Sequence, residues 1–455
     1  LSLHDALPIY RAGIAPETAA LIAGRSLSVL GLIATLAVAY RIARLGGMSA
    51  LAGWWGVLLI AGAPTLGSQP VTVRPDMLGV ALQSAGLLLV LSAMGGKGEV
   101  WAGRRIVWGF AAFGLALCVK QHLVAELAVC TVLLVVFRKA WGVAVSTVAR
   151  AIAICLAIPT MIYGAEWVIT QGHIWDSAFV AAGHVRDVYP GGRAHAMLIQ
   201  YGLVRRNAGL FALLALAGLT LIGSSGGRFR KFGAFAGIAI LCIIPINFIF
   251  GLLTRRTDLE VASYLTCVFS ALAFAACGLL GKSRLLGDRR DAVLWICLAA
   301  ELVVVFDLAY LSTGSWMNYG IQAVILLSIL TARICARAVE AAPTFRTLWP
   351  IGLGVLAFGV VSYAHVKDRQ SQITIDRIAV DKIYEYLKLP RAAYFFADRP
   401  GYNRLSGRLD LVHDYWLYRV FESIRMAQPR SAWLGDMLVN GGIQAVVTST
   451  DRPEL

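Results

Sequence analysis

Charge is what this chain has least of. Asp, Glu, Lys and Arg make up 15% of its 455 residues against 58% hydrophobic, and the mean hydropathy is +0.70. A soluble domain carries about a quarter charged residues, so a water-soluble globular fold is excluded. Acidic residues are the scarcer sign, 26 against 41 basic, which leaves a formal net charge of +15. The eight cysteines all fall within or beside apolar segments, and no two are spaced as CxxC. They read as small buried hydrophobes rather than as disulfides or metal ligands. The stretch after His365 has no cysteine and neither GxGxxG nor GKS/T, the loops that cradle nucleotide phosphates.

What the sequence has in abundance is apolar runs close to the ~20 residues that a membrane-crossing helix needs. Twelve are read: Leu21–Arg44, Met48–Leu66, Met77–Met94, Ile106–Val119, His122–Phe137, Ala151–Ile169, Ala208–Gly223, Phe232–Leu253, Ala262–Leu280, Ala292–Leu311, Gly320–Ala338 and Leu348–His365. The fourth and fifth are short and separated only by Lys120 and Gln121, so they read as one bent hairpin or a re-entrant pair. In lipid every backbone polar group must be satisfied within the protein, and helices do this segment by segment. The expected fold is an all-α polytopic bundle of about 11–12 transmembrane helices.

Basic residues set the orientation. Alternate loops carrying Arg41 and Arg44, Arg104 and Arg105, Arg289 and Arg290, and Arg333 and Arg337 hold more than twice the Lys and Arg of the other set. The positive-inside rule makes the richer side cytoplasmic. Arg74, Asp76, Lys120, the loop from Thr170 to Asn207 and everything after His365 then face outward. The basic balance marks orientation, and nucleic acid is not needed to explain it.

Polar residues enter the hydrocarbon mainly in the outer half. Arg25, Glu166 and Asp307 lie near outer ends, Glu301 nearer mid-span, and His122 and Glu126 are four apart on one helix face. A polar vestibule opening outward accounts for this bias; helix-end pairing and snorkelling is the simpler alternative. In "VRPDMLGV", Pro75 keeps Arg74 out of the α region, and Asp76 sits where the next helix begins and where a carboxylate is a good cap. The Thr170–Asn207 loop mixes aromatics, histidines and arginines as an interfacial helix does. His173, His184 and His195 lack the close spacing of a zinc site. Past His365, helical and strand-like stretches alternate, "AAYFFAD" and "IQAVVTS" being the strands. This reads as a small α/β module over residues 366–455.

Taken in order, "GRSLSVLG" at Gly24, "VRPDMLGV" around Asp76, "CVKQHLVA" around Lys120, "TQGHIWDSAFVAAGH" and "GSWMNYG" at Gly314 resemble bacterial family 39-type glycosyltransferases of the GT-C superfamily. These are relatives of protein O-mannosyltransferases and aminoarabinose transferases. The tail "FFADRPGYNRLSGRLDLVHDYW" is similar to the outer domain many of them carry. The resemblance implies a multi-pass protein of the cytoplasmic membrane that transfers a hexose or pentose, with inversion, from a polyprenyl-phosphate carrier to a lipid, glycan or protein acceptor. It implies no cofactor, and nothing in the sequence supports a divalent metal.

Carried over residue by residue, Lys120 would be a phosphate-side cation, and Arg74 and Asp76 would line the cavity. Gln121, His122, His184, Asn318 and Tyr319 would join them in binding substrate. Gly183-His184 stands where relatives often show Asn. The family's principal acidic residue lies in an outer loop before the span that here begins near Leu21. Leu1–Ile9 reads as an adapter-derived artefact, so the base is expected outside this sequence, which on that expectation would be inactive as it stands. Among the residues present, Asp76 is the candidate. The membrane domain is expected over residues 10–365. A multi-span transporter or flippase, or a non-catalytic subunit of surface-polysaccharide assembly, remains open as an alternative.

Overall fold

The computed structural model describes residues 16–66, 76–94, 100–171, 192–223, 289–311, 317–341, 351–364, 366–367, 395–397 and 445–447. The chain forms two compact units. One comprises residues 1–166, 192–310 and 315–365, and the other comprises 167–191, 311–314 and 366–455.

The first unit is helical. In chain order its helices are α1 (Pro16–Ala43), α2 (Ala50–Ala61), α3 (Asp76–Ala93), α4 (Val100–Val119), α5 (Ala125–Phe137), α6 (Val145–Ile169), α7 (Arg193–Arg206), α8 (Ala208–Gly223), α9 (Arg289–Leu311), α10 (Ile321–Ala341) and α11 (Ile351–Ala364). A single 3₁₀ turn, Met317–Gly320, leads into α10. Six of these helices (α1, α3, α4, α6, α9 and α10) are long and apolar enough to cross a membrane. The protein is a polytopic helical membrane protein. The expected spans Phe232–Leu253 and Ala262–Leu280 lie outside the described residues.

Local chemistry explains where helices stop. Gly46 and Gly47, at φ +76° and +80°, make the turn between α1 and α2 in a conformation that other residues rarely adopt. Hydroxyls inside the apolar helices are returned to their own backbone: Ser28 donates to the Gly24 carbonyl, Thr35 to Gly31 and Thr331 to Leu327, each at 2.8–3.1 Å. This satisfies a polar group where lipid offers no partner.

Packing centres on α3 and α10. α3 packs on α1, α4 and α5, while α10 packs on α1, α2 and α8. The α3–α4 contact is backbone to backbone. A Cβ placed on Gly86 would lie 2.8 Å from the Gly109 carbonyl oxygen, and one on Gly109 would lie 2.9 Å from that of Gly86. Further along, Gly79 faces Val119 and Leu123. As the number rises on α3 it falls on α4, so the helices are antiparallel, and the start of α3 must lie against the end of α4. Small residues allow such approaches, and close van der Waals contact then replaces the hydrophobic drive that lipid removes.

At the other end of these helices, charges gather. Arg333 is wholly buried and donates to the carbonyls of Ile42, Ala43 and Leu45 at 2.7–3.3 Å, closing the C-terminal end of α1. It also pairs with Asp291, as does Arg337. Arg290 donates to the Leu91 carbonyl at the end of α3, 3.2 Å away. Cations at helix C-termini satisfy spare carbonyls and oppose the helix dipole.

Of the second unit, the structure describes little beyond a parallel strand pair, β1 (Phe395–Ala397) and β2 (Ala445–Val447), with Phe396 opposite Val446. Both lie inside the stretches read as strands. The helices expected between them fall outside the described residues.

Candidate functional site

The antiparallel register of α3 and α4 sets Asp76 against Lys120, and the two form an ion pair. Asp76 opens α3 and its side chain is only 4% exposed; that of Lys120, in the turn after α4, is 20% exposed. The Lys120 ammonium also stands over the Tyr319 ring, 4.7 Å from its centre. His122 packs its ring on the same Tyr319, with centroids 4.4 Å apart and a tilt of 53°. Burial, with the Lys120 charge beside it, pushes the His122 imidazole down to about 3, so the ring is neutral at physiological pH.

Three elements thus converge on one layer: the start of α3, the turn between α4 and α5, and the 3₁₀ turn before α10. The layer offers one ammonium, one carboxylate, a neutral imidazole and a phenol. A cation over a ring face is attracted by the ring quadrupole, so Tyr319 and Asp76 together fix where the Lys120 charge sits. Such a layer can hold an anion by charge-assisted hydrogen bonds, with the imidazole and phenol as neutral donors.

The sequence-expected residues divide accordingly. Asp76, Lys120, His122 and Tyr319 come together. Gln121 is exposed in the same turn. Arg74 and His184 lie outside the described residues, as does the Asn318 side chain. Arg25 and Asp307, read as part of the polar outer set, sit on exposed surface. The expected hairpin of Ile106–Val119 and His122–Phe137 resolves into a full-length α4 and a 13-residue α5, joined by the turn that carries Lys120 and His122.

A second polar group lies deeper. Gln83 is seven residues beyond Asp76, on the same face of α3 and about 10 Å along it. Its Nε2 donates to Glu126 on α5 and to Glu301 on α9, the latter at 3.0 Å. Ser84 and Gln322 contact each other at 3.4 Å. Gln83, Ser84, Glu126, Glu301 and Gln322 are all buried to 2% exposure or less. The two glutamates were visible in the sequence as charges inside apolar runs. Gln83 and Gln322 were not singled out there, although an amide inside a span is the same signal in weaker form. Among the described residues, no group of three or more His, Cys, Asp or Glu could hold a metal ion.

No protein-family model matches the chain, and no curated protein matches it. Among solved structures, the chain is similar to ArnT from Cupriavidus metallidurans bound to undecaprenyl phosphate. That match has 16% identity and a TM-score of 0.40, covering 93% of this chain and 78% of that one. The apo state of the same protein gives 16% identity and a TM-score of 0.40 over 92% and 78%. A likeness of that extent leaves function to be argued from the residues themselves.

Proposed function

We propose that this protein is a membrane glycosyltransferase that takes a hexose or pentose from a polyprenyl-phosphate carrier at the outer face of the cytoplasmic membrane. The observation that supports this is the Lys120 ammonium, fixed by Asp76 and Tyr319 at the end of the helices opposite the Arg333–Asp291–Arg337 cluster. By the positive-inside rule the arginine-rich end faces the cytoplasm, which puts Lys120 and the tail after His365 outside. A lipid-linked donor leaves a phosphate, and a preorganised cation stabilises the charge that develops on it. The tyrosine and the neutral imidazole supply further hydrogen-bond donors to a phosphate or a sugar hydroxyl.

The buried pair Glu126 and Glu301 favours a second reading, a carrier that moves its substrate across the membrane, since carboxyls inside spans mark ion pathways in transporters. The two readings separate in one experiment. Photo-crosslinkable polyprenyl phosphate is bound to the purified protein, and the same preparations are assayed for sugar transfer from a polyprenyl-phosphate donor. Lys120→Ala should weaken lipid binding at least tenfold, and Lys120→Arg should retain most of it. Binding unchanged in Lys120→Ala, with substrate movement in proteoliposomes and no transfer, would support the carrier.

A further inference from the structure

We propose that Glu126 and Glu301 hold a single proton between them, making the centre bridged by Gln83 a proton-binding site inside the helical bundle. It lies two helical turns below the Lys120–Asp76 layer and does not depend on which activity that layer performs.

The carboxyls come from different helices, α5 and α9, and are drawn together because both accept from the single Nε2 of Gln83. An ionised carboxylate only accepts hydrogen bonds. Two of them gathered on one amide donor and hidden from water disfavour each other's charge, and one O–H between them removes the conflict. Among the described residues, the groups near the pair are Gln83 on α3, the Ser84–Gln322 contact beside it, Cys130 one turn beyond Glu126, and Cys297 one turn before Glu301. None of these carries a positive charge. Two bare carboxylates so enclosed would lack the compensation that buried charges require.

An independent observation points the same way. Gln83 Oε1 and Glu126 Oε1 are both fully buried acceptors with no hydrogen-bond partner. The centre is thus short of donors, not of acceptors. Turning the Gln83 amide over does not remove the deficit, because its oxygen would then face both carboxyls and each would need a proton. One proton shared by the pair gives Glu126 Oε1 the partner it lacks: ionised Glu301 accepts from Gln83 while protonated Glu126 donates, or the reverse. Asp76, Lys120 and His122 stand in the layer above, His122 four residues before Glu126.

The test is infrared spectroscopy of the purified protein at about pH 8, where ordinary carboxyls are ionised. The expected result is a protonated-carboxyl C=O band equal to one group per chain that shifts in D2O. Glu126→Gln and Glu301→Gln should each shift or abolish the band, and the double variant should lack it. Absence of the band in the wild type, or its persistence in the double variant, overturns the proposal. Should a variant fail to fold, the wild-type band and its deuterium shift still decide, with isotope-labelled glutamate assigning the side-chain type. Loss of the band on adding sodium chloride, with uptake of labelled sodium, would identify a metal-cation site instead and also overturn it.

Discussion

Breaking the Asp76–Lys120 pair tests whether the layer is held as described. With the Asp76 side chain 4% exposed and that of Lys120 20%, the pair is largely out of water. Lys120→Ala removes a charged partner of the buried Asp76 carboxylate, a loss of up to about 3–5 kcal/mol. The turn position of Lys120 lets water reach the vacated space, so the lower end of that range, about 3 kcal/mol, is expected. Asp76→Asn keeps the helix start, because asparagine caps well, and strands the ammonium instead. That ammonium retains Tyr319 and some water, so about 1–2 kcal/mol is expected for a lost charge-assisted hydrogen bond. The double variant leaves no stranded charge and should recover much of the loss, giving a coupling of about 2 kcal/mol. The assay is unfolding in mixed detergent micelles, followed by tryptophan fluorescence, for all four proteins. Single losses that simply add in the double variant would refute an energetic coupling between the two residues.

Other consequences are as direct. Gly31→Ala would set a Cβ 2.7 Å from the Met77 carbonyl carbon, in backbone that cannot yield, so stability should fall by about 1–3 kcal/mol. Gly164→Ala, with nothing within 4 Å, should be neutral or slightly stabilising in the same micelle unfolding assay. Arg333→Met should cost about 1–3 kcal/mol by taking the donor from three carbonyls at the end of α1, while Asp291 keeps Arg337. For His122 the folded value of about 3 lies below the ordinary 6.5. Its contribution to stability is therefore full above pH 6.5 and is lost as pH falls from there toward 3. Unfolding measured across that range should show a slope that His122→Phe reduces.

The helices were legible because lipid forces a local solution on each segment. Ala208–Gly223 coincides with α8, and Ala292–Leu311 falls three residues short of α9. The errors are at charged ends. α4 begins at Val100, six residues before the expected Ile106, because Arg104 and Arg105 are exposed and carry their charges to the membrane surface from within a helix. The same snorkelling hid the start of α6 before Arg150. In the Lys120 layer, Asp76, Lys120, His122 and Tyr319 were legible as polar residues at span ends. The Gln83 centre was not, because its partners are 43 and 218 residues away and no local periodicity announces such a meeting.

The glycine contact between α3 and α4 has a mechanical side. Where Gly86 and Gly109 meet, carbonyl lies against backbone with no side chain between, so no rotamer can turn to let one helix slide along the other. α3 and α4 therefore behave as a single stiff spar, and Asp76 and Lys120 are bolted to the same end of it. The ion pair thus takes its spacing from a contact between two backbones rather than from the packing of side chains.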